Sequence, residues 1–405
     1  MLTTQTIKVG LVAAPGVSKN IATHIQDDLS NELAQHISQD VEWKIEIVAD
    51  PLTGSAENVT EIFQTISDYQ KTNEWQYTIG LTDLPLFKNN KVIAIDVNRD
   101  NGASLISVPA YGWRPVKKRI KSSIIGVVEE VNKYQPNKHN AEQSADENRA
   151  QQQTEDKDQS QSSEERLTHQ FPLSNLEAHT DFLEDTNSKH RRYFVSSKAK
   201  GMIRLLSGMT FANNPLNMVS SISNVLAVAF TTGASAIIFT TLWNLSYLYT
   251  EWRLFLMMIV SILGMMLWII IAHNLWEPIR HSKDKRITKL YNFTTVSTLT
   301  IALIFYYILL FAFFLLASLV VLPPGYLGSS MQLGGPATAS TYLNLAWFAS
   351  SISTVAAAIG AGLNNTELIL ESTYGYRQKQ RYKQIKQQER QREKEEEDAE
   401  ERGNS

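Results

Sequence analysis

Apolar and polar positions follow a short-period pattern over the first third of the chain, switching between a period of two and a period near four. Thr6–Ala13 (TIKVGLVA) sets Ile7, Val9 and Leu11 on alternate positions and predicts a strand. Pro15-Gly16 interrupts it, and Ser18 is the expected N-cap of the helix that follows. Ile21, Ile25, Leu29, Leu33 and Ile37 then recur every fourth residue, one apolar stripe on a helix. Val41–Ala49 (VEWKIEIVA) predicts a second strand stopped by Asp50-Pro51. Val59, Ile62, Phe63 and Ile66 predict a second amphipathic helix, and Tyr77–Leu81 a third strand running into Thr82-Asp83. Val92–Val97 and Ala103–Val108 flank Asn101-Gly102, a favoured hairpin pair. Pro115–Tyr134 closes the pattern as a helix with Val116, Ile120, Ile124, Val127 and Val131 on one side. This order implies parallel strands joined by right-handed crossovers, with the hairpin adding an antiparallel strand. The expectation for residues 1–135 is a cytosolic α/β domain, a mostly parallel sheet with a hairpin.

Beyond it the pattern fades and then returns in another form. Asn137–Gln170 is dominated by Gln, Ser, Asn, Asp and Glu, too polar to offset the entropy of ordering, so residues 136–188 are expected to be a disordered polar linker. Phe171–Phe194, which runs past the end of that stretch, mixes Leu and Phe with charges and matches neither period. Four uncharged apolar runs follow: Val219–Trp243, Leu254–Ala272, Phe293–Leu322 and Leu343–Leu363. Each is long enough for a helix to cross a hydrocarbon core of about 30 Å, and too long for a barrel strand. Residues 189–373 are therefore expected to form an all-α four-helix transmembrane bundle, with a charged cytosolic tail over 374–405. Lys200–Met209, a short basic–apolar segment before the first run, fits an interfacial helix or an extension of that span.

Charge orients the runs. Arg280, Lys283, Lys285, Arg286 and Lys289 lie between the second and third, and Arg377, Lys379, Arg381 and Lys383 open the tail. Lys198, Lys200 and Arg204 precede the first run, whereas Pro323–Tyr342 carries no charge. Basic residues near span ends stay cytoplasmic, so both termini are expected inside. The same basic face is a candidate for anionic lipid or an acidic protein partner, with Asp27, Asp28 and Glu32 of the first helix as possible intramolecular contacts. The formal net charge of −3 over 405 residues gives no reason to expect nucleic-acid binding. Absence of cysteine excludes disulfides, thiolate zinc sites and thiol nucleophiles, and suits a reducing cytosol. No signal-peptide pattern opens the chain, so the first run is expected to act as the insertion signal.

Candidate chemistry is sparse. Open α/β sheets bind ligands at strand carboxyl ends, which here carry Ala14, Gly16 and Ser18, then Asp50, then Thr82 and Asp83. The first of these loops leads into a helix N-terminus, which favours anions. Its sequence, AAPGVS, matches neither G-x-G-x-x-G nor G-x-x-x-x-G-K-[ST], and ordinary turn chemistry accounts for it equally well. Asp50 and Asp83 are a candidate carboxylate pair, or simply turn residues. The eight histidines show no H-x-x-x-H spacing, so no metal and no cofactor is expected, and no catalytic residue is assigned. The apolar runs lack the intramembrane charge of ion-coupled transporters, and their Ser, Thr and Gly residues favour close helix packing.

Three stretches carry a resemblance: Gly80–Leu86 (GLTDLPL), His273–Tyr291 with Leu-Trp-Glu-Pro, and Thr373–Arg377 (TYGYR). Together they resemble a family of uncharacterised bacterial integral membrane proteins with a cytosolic N-terminal domain before four spans. That implies a multi-pass bacterial cell-membrane location and no particular activity. Gly80–Val108 is also similar to the sheet region of archaemetzincin-like zinc peptidases, whose next helix carries H-E-x-x-H. The corresponding helix here, Ile124–Lys133 (IIGVVEEVNK), has no histidine, so the resemblance implies a related sheet without the zinc. The function expected is a non-catalytic membrane-anchored binding, sensing or scaffold protein. The alternatives are a small-molecule exporter or permease component, and an enzyme acting through the N-terminal domain.

Overall fold

The computed structural model describes residues 6–51, 53, 59–113, 115–134, 167–168, 176–183, 188–216, 223–278, 285–360 and 390. They form two compact units, one reaching Ala212 and the other beginning at Asn213.

The first unit is an eight-stranded sheet, β1 (Thr6–Ala13), β2 (Glu42–Ala49), β3 (Tyr77–Thr82), β4 (Leu86–Lys88), β5 (Lys91–Asn98), β6 (Ala103–Ser107), β7 (Leu176–Leu183) and β8 (Ser188–Val195). The spatial order is β2-β1-β3-β6-β5-β8-β7, with β4 paired to β5. The first four strands in that order are parallel, and β5, β8 and β7 run antiparallel to their neighbours. Helices α1 (Val17–His36) and α3 (Val116–Tyr134) cover one face, and α2 (Val59–Thr72) the other. Two right-handed crossovers that run in opposite directions, from β1 to β2 and from β2 back past β1 to β3, must put α1 and α2 on opposite faces. Both faces of β1 are thus covered, and Val9, Leu11, Val12 and Ala13 are fully buried. The expected hairpin forms between β5 and β6, closed by the Gly102 N–H to the Asn98 carbonyl at 2.9 Å, with Gly102 at φ 76°.

The unit is longer than residues 1–135. Strands β7 and β8 extend the sheet from within and beyond the stretch expected as linker, and helix α4 (Lys198–Ala212) packs against the 3-10 turn Val108–Tyr111 and β5. Other parts of that linker, including 136–166, lie outside the described residues. Sequence pattern missed β8 because its inward positions are charged. His190 and Arg192 face the sheet interior and find a carboxylate there.

The second unit is helical: α5 (Ser223–Gly233), α6 (Ser235–Ile238), α7 (Thr240–Leu248), α8 (Glu251–Ala272), α9 (Lys285–Val321), α10 (Pro324–Ser330) and α11 (Ala339–Gly360). Among the described residues, two helices, α8 and α9, are long and apolar enough to cross a membrane, or three spans if the bent pair 225–238 and 240–248 counts as one. This is fewer than the four expected. The first run, expected as a single helix over Val219–Trp243, breaks at Phe239 with a bend of 89°. A helix end leaves carbonyls without partners. Here Trp243 Nε1–H donates to the carbonyls of Ala236 (3.1 Å) and Ile237 (3.2 Å), which holds the bend. The fourth run is helical as α11, with its last positions, 361–363, outside the described residues; α11 is the helix on which α5, α8 and α9 pack. Two of its hydroxyls bond back to the preceding turn, Ser350 to Ala346 O at 2.7 Å and Thr354 to Ser350 O at 2.8 Å, so each is satisfied within α11 itself.

Candidate functional site

The strand order changes direction at β1, the position where open α/β sheets bind ligands. Ala13 pairs with Ala49 on one side and with Leu81 on the other, so three strand ends come level. The Ala14 N–H donates to the Leu81 carbonyl at 2.9 Å, and the Asp50 N–H to the Ala13 carbonyl at 3.0 Å. The fold therefore brings Ala14, Asp50 and Thr82 to one end of the sheet.

Gly16 is the residue that caps α1, at φ 97° and ψ −126°, a backbone conformation that costs glycine little. Ser18 is not the cap: it stands inside the first turn, fully buried, with its hydroxyl lacking a hydrogen-bond partner. Thr53, just past Asp50, is another fully buried hydroxyl without one. Asp50 and Asp83 do not share a strand boundary. β1 separates their strands, which puts their backbones about 10 Å apart at two strand spacings. The Asp50 carboxylate accepts the Tyr69 hydroxyl at 2.9 Å, and the Thr82 hydroxyl accepts the Leu84 N–H at 3.0 Å. Asp83 is buried.

A second polar cluster, invisible in the sequence, lies deeper in the sheet. Asp96 on β5 is 1% exposed and receives His190 Nδ1–H and Arg192 Nε–H from β8, both at 2.7 Å. Phe63 of α2 meets the His190 ring edge-on at 4.9 Å between centroids. On the opposite face Glu130 of α3 pairs with Arg99, and with Arg191 at 3.2 Å. Buried charge survives only when paired, so these two carboxylates fasten β8 and α3 to β5. The signal in the sequence was the spacing of Asp96 and of His190-Arg191-Arg192, readable only once the two strands are known to be neighbours.

Two further features are electrostatic. Between α1 and α3 runs a groove of about 520 Å³ lined by His24, Asp28, Glu32, His36, Lys117 and Lys121 among others. In it Lys121 Nζ bonds Glu32 at 2.6 Å and Asp28 at 3.4 Å, so α3 engages two of the acids that the sequence offered to the basic tail. Near the 3-10 turn, burial pushes the Tyr111 phenol above its usual range while its oxygen meets Ser123 Oγ at 2.6 Å. Burial first, and the Arg119 guanidinium second, hold Arg204 down to about 10.

Of the membrane-face basic residues, Lys285 and Arg286 open α9 and are exposed. Arg280, Lys283, Arg377, Lys379, Arg381 and Lys383 lie outside the described residues. Among the described residues no three His, Asp or Glu side chains are placed to hold a metal. In comparisons with family models, curated proteins and solved structures, none matches the chain.

Proposed function

We propose that the chain is an integral membrane protein of the cell membrane that carries its sheet unit as a cytosolic binding module, acting by recognition and not by catalysis. The observation that carries the membrane part is a stripe along α8. Trp252, Leu256, Val260, Leu263, Leu267 and Ile271, spaced three or four apart, are all at least 50% exposed. Apolar surface left in water costs about 25 cal/mol per Å², and soluble monomers rarely expose patches of this extent. Hydrocarbon is the medium that covers such a helix. The self-satisfied hydroxyls of α11 favour a packed bundle over a polar path for solutes.

The binding part rests on the strand ends. The change of strand direction supplies the position, and the buried hydroxyls of Ser18 and Thr53 supply polar atoms without partners among the described residues. Asp50 and Thr82 are engaged by Tyr69 and Leu84, which suits them to shaping a site more than to proton transfer. The basic residues Arg280, Lys283, Lys285, Arg286, Arg377, Lys379, Arg381 and Lys383 are proposed to face the cytosol and to attract anionic lipid or an acidic partner, each by about 1 kcal/mol near the surface.

The cysteine-free sequence makes topology directly testable. Single cysteines in place of Gly325, Lys283 and Ser405 are exposed to a membrane-impermeant maleimide on intact cells. Labelling at 325 alone is the expected result. External labelling at 283 overturns the topology, and extraction of the chain from membranes by alkaline carbonate overturns the membrane reading itself.

A further inference from the structure

Helix α4 is packed along one side and apolar along the other. Gly201, Leu205, Gly208, Met209 and Ala212 are buried, with Gly208 tight against the Pro109 backbone. Met202 and Ile203 point outward, 40% and 67% exposed. Trp113, 62% exposed, follows Gly112, which itself packs against Arg204 and Ser207 of α4. The helix has completed its packing and still presents an isoleucine, a methionine and a neighbouring tryptophan to the outside.

The surroundings of this face are cationic. Lys198 and Lys200 open α4 and are exposed; Lys117 and Lys118 at the start of α3 belong instead to the groove that Asp28 and Glu32 line. Arg204 is half-buried beside Arg119, whose Nη1–H donates to the Tyr111 carbonyl at 3.2 Å. Neither α4 nor the segment 113–119 contains an aspartate or glutamate. Tryptophan, a β-branched and a sulfur-containing apolar side chain, and lysines on flexible stems are the composition of a surface seated at a headgroup boundary. Chain continuity selects the same occupant, because α4 ends at Ala212 and Asn213 begins the unit that carries the apolar helices.

We propose that Trp113, Met202 and Ile203, flanked by Lys198 and Lys200, rest in the headgroup–acyl boundary of an anionic leaflet. The sheet unit then has a membrane contact of its own. The inference rests on the membrane reading above and adds a second, electrostatically tuned attachment to it.

The test uses the full chain in lipid nanodiscs, with a spin label on single cysteines at Ile203, Trp113 and, as a membrane reference, Leu263. All three parent side chains are exposed, so the substitutions leave the packing intact. Collision rates with oxygen and with a neutral nickel chelate report depth. In discs containing phosphatidylglycerol, labels at 203 and 113 are expected to favour oxygen over nickel. In pure phosphatidylcholine discs, and in the Lys198→Glu/Lys200→Glu variant, both labels are expected to move toward the aqueous ratio. The bound-to-free ratio falls roughly fivefold for each lysine charge removed. An aqueous ratio at 203 and 113 in anionic discs, with a lipid ratio at 263, overturns this inference and leaves the membrane reading standing. An aqueous ratio at 263 overturns both. Shielding of 203 from both probes means that protein covers the face, and this also overturns the inference.

Discussion

Replacing Asp96 by asparagine is the sharpest probe of how the sheet unit is held together. Asp96 is 1% exposed, His190 is fully buried and Arg192 is 7% exposed, and each donor lies 2.7 Å from its own carboxylate oxygen. Asparagine preserves the shape but turns one of the two acceptors into an amide N–H₂, so one buried donor on β8 faces another donor. Removing one partner of a buried ionic group costs about 3–5 kcal/mol, against about 0–1 kcal/mol for an exposed pair. Burial decides which figure applies here. The β5–β8 ladder pairs Asp96 with Arg192, Val97 with Arg191 and Asn98 with His190, so the cost falls on those amides. Hydrogen exchange read by mass spectrometry suits a chain of two units better than a single melting point. At about 1.4 kcal/mol per factor of ten, exchange across residues 188–195 is expected to accelerate by roughly two to three and a half orders of magnitude. Lys121→Ala, which removes a partly exposed contact to Glu32, is the control and shifts exchange by less than about tenfold. An apolar triple, Asp96→Leu with His190→Phe and Arg192→Met, is expected to recover most of the lost protection, since it leaves no buried donor unmet. If Asp96→Asn behaves like the Lys121 control, the cluster does not fasten β8, and the reasoning fails.

Three other outcomes follow from the packing. In Gly208→Ala the added methyl overlaps the Pro109 carbonyl oxygen and lies 2.9 Å from its carbonyl carbon, a backbone that cannot swing aside; the variant is expected to lose about 1–3 kcal/mol of local stability, whereas a gain near 1 kcal/mol, the helix preference of alanine over glycine, would show α4 detached from the sheet unit. Glu46 is held below its ordinary value by hydrogen bonds from Lys44 and from Trp75 Nε1–H, so its contribution is present above the unfolded carboxylate value and is lost as pH falls through the lowered one. The stability difference between parent and Glu46→Gln, measured at about pH 6, should therefore shrink as pH falls below the ordinary carboxylate range, and a difference independent of pH contradicts the assignment. Gly233→Ala places a methyl on Ser353 and Phe314 and is expected to lower the thermal midpoint of the helical signal in detergent, with partial recovery on adding Ser353→Ala; an unchanged midpoint means that α5 does not pack there.

Local pattern determined most of the parallel core. The alternations at Thr6–Ala13 and Val41–Ala49 and the four-residue stripe of α1 fix strand and helix because each element buries one continuous set of apolar residues, and spacing alone records that. The apolar character of α8 and α9 was equally local, since the length and hydropathy of a run are read without knowing its neighbours. Other features depended on neighbours distant in the chain. Ser188–Val195 reads as polar until Asp96, almost a hundred positions away, is known to stand opposite Arg192, because a buried charge is stable only beside its partner. The sheet edge at β7 and the docking of α4 on Pro109 follow from that pairing, and so does the boundary at Ala212. The bend at Phe239 was hidden for a similar reason: hydropathy is indifferent to direction, and the indole of Trp243 that satisfies the freed carbonyls acts only once the helix has turned. At the candidate site the sequence placed Ala14, Asp50 and Thr82 at strand ends, while the β2-β1-β3 order alone brought those ends side by side and kept the two aspartates apart.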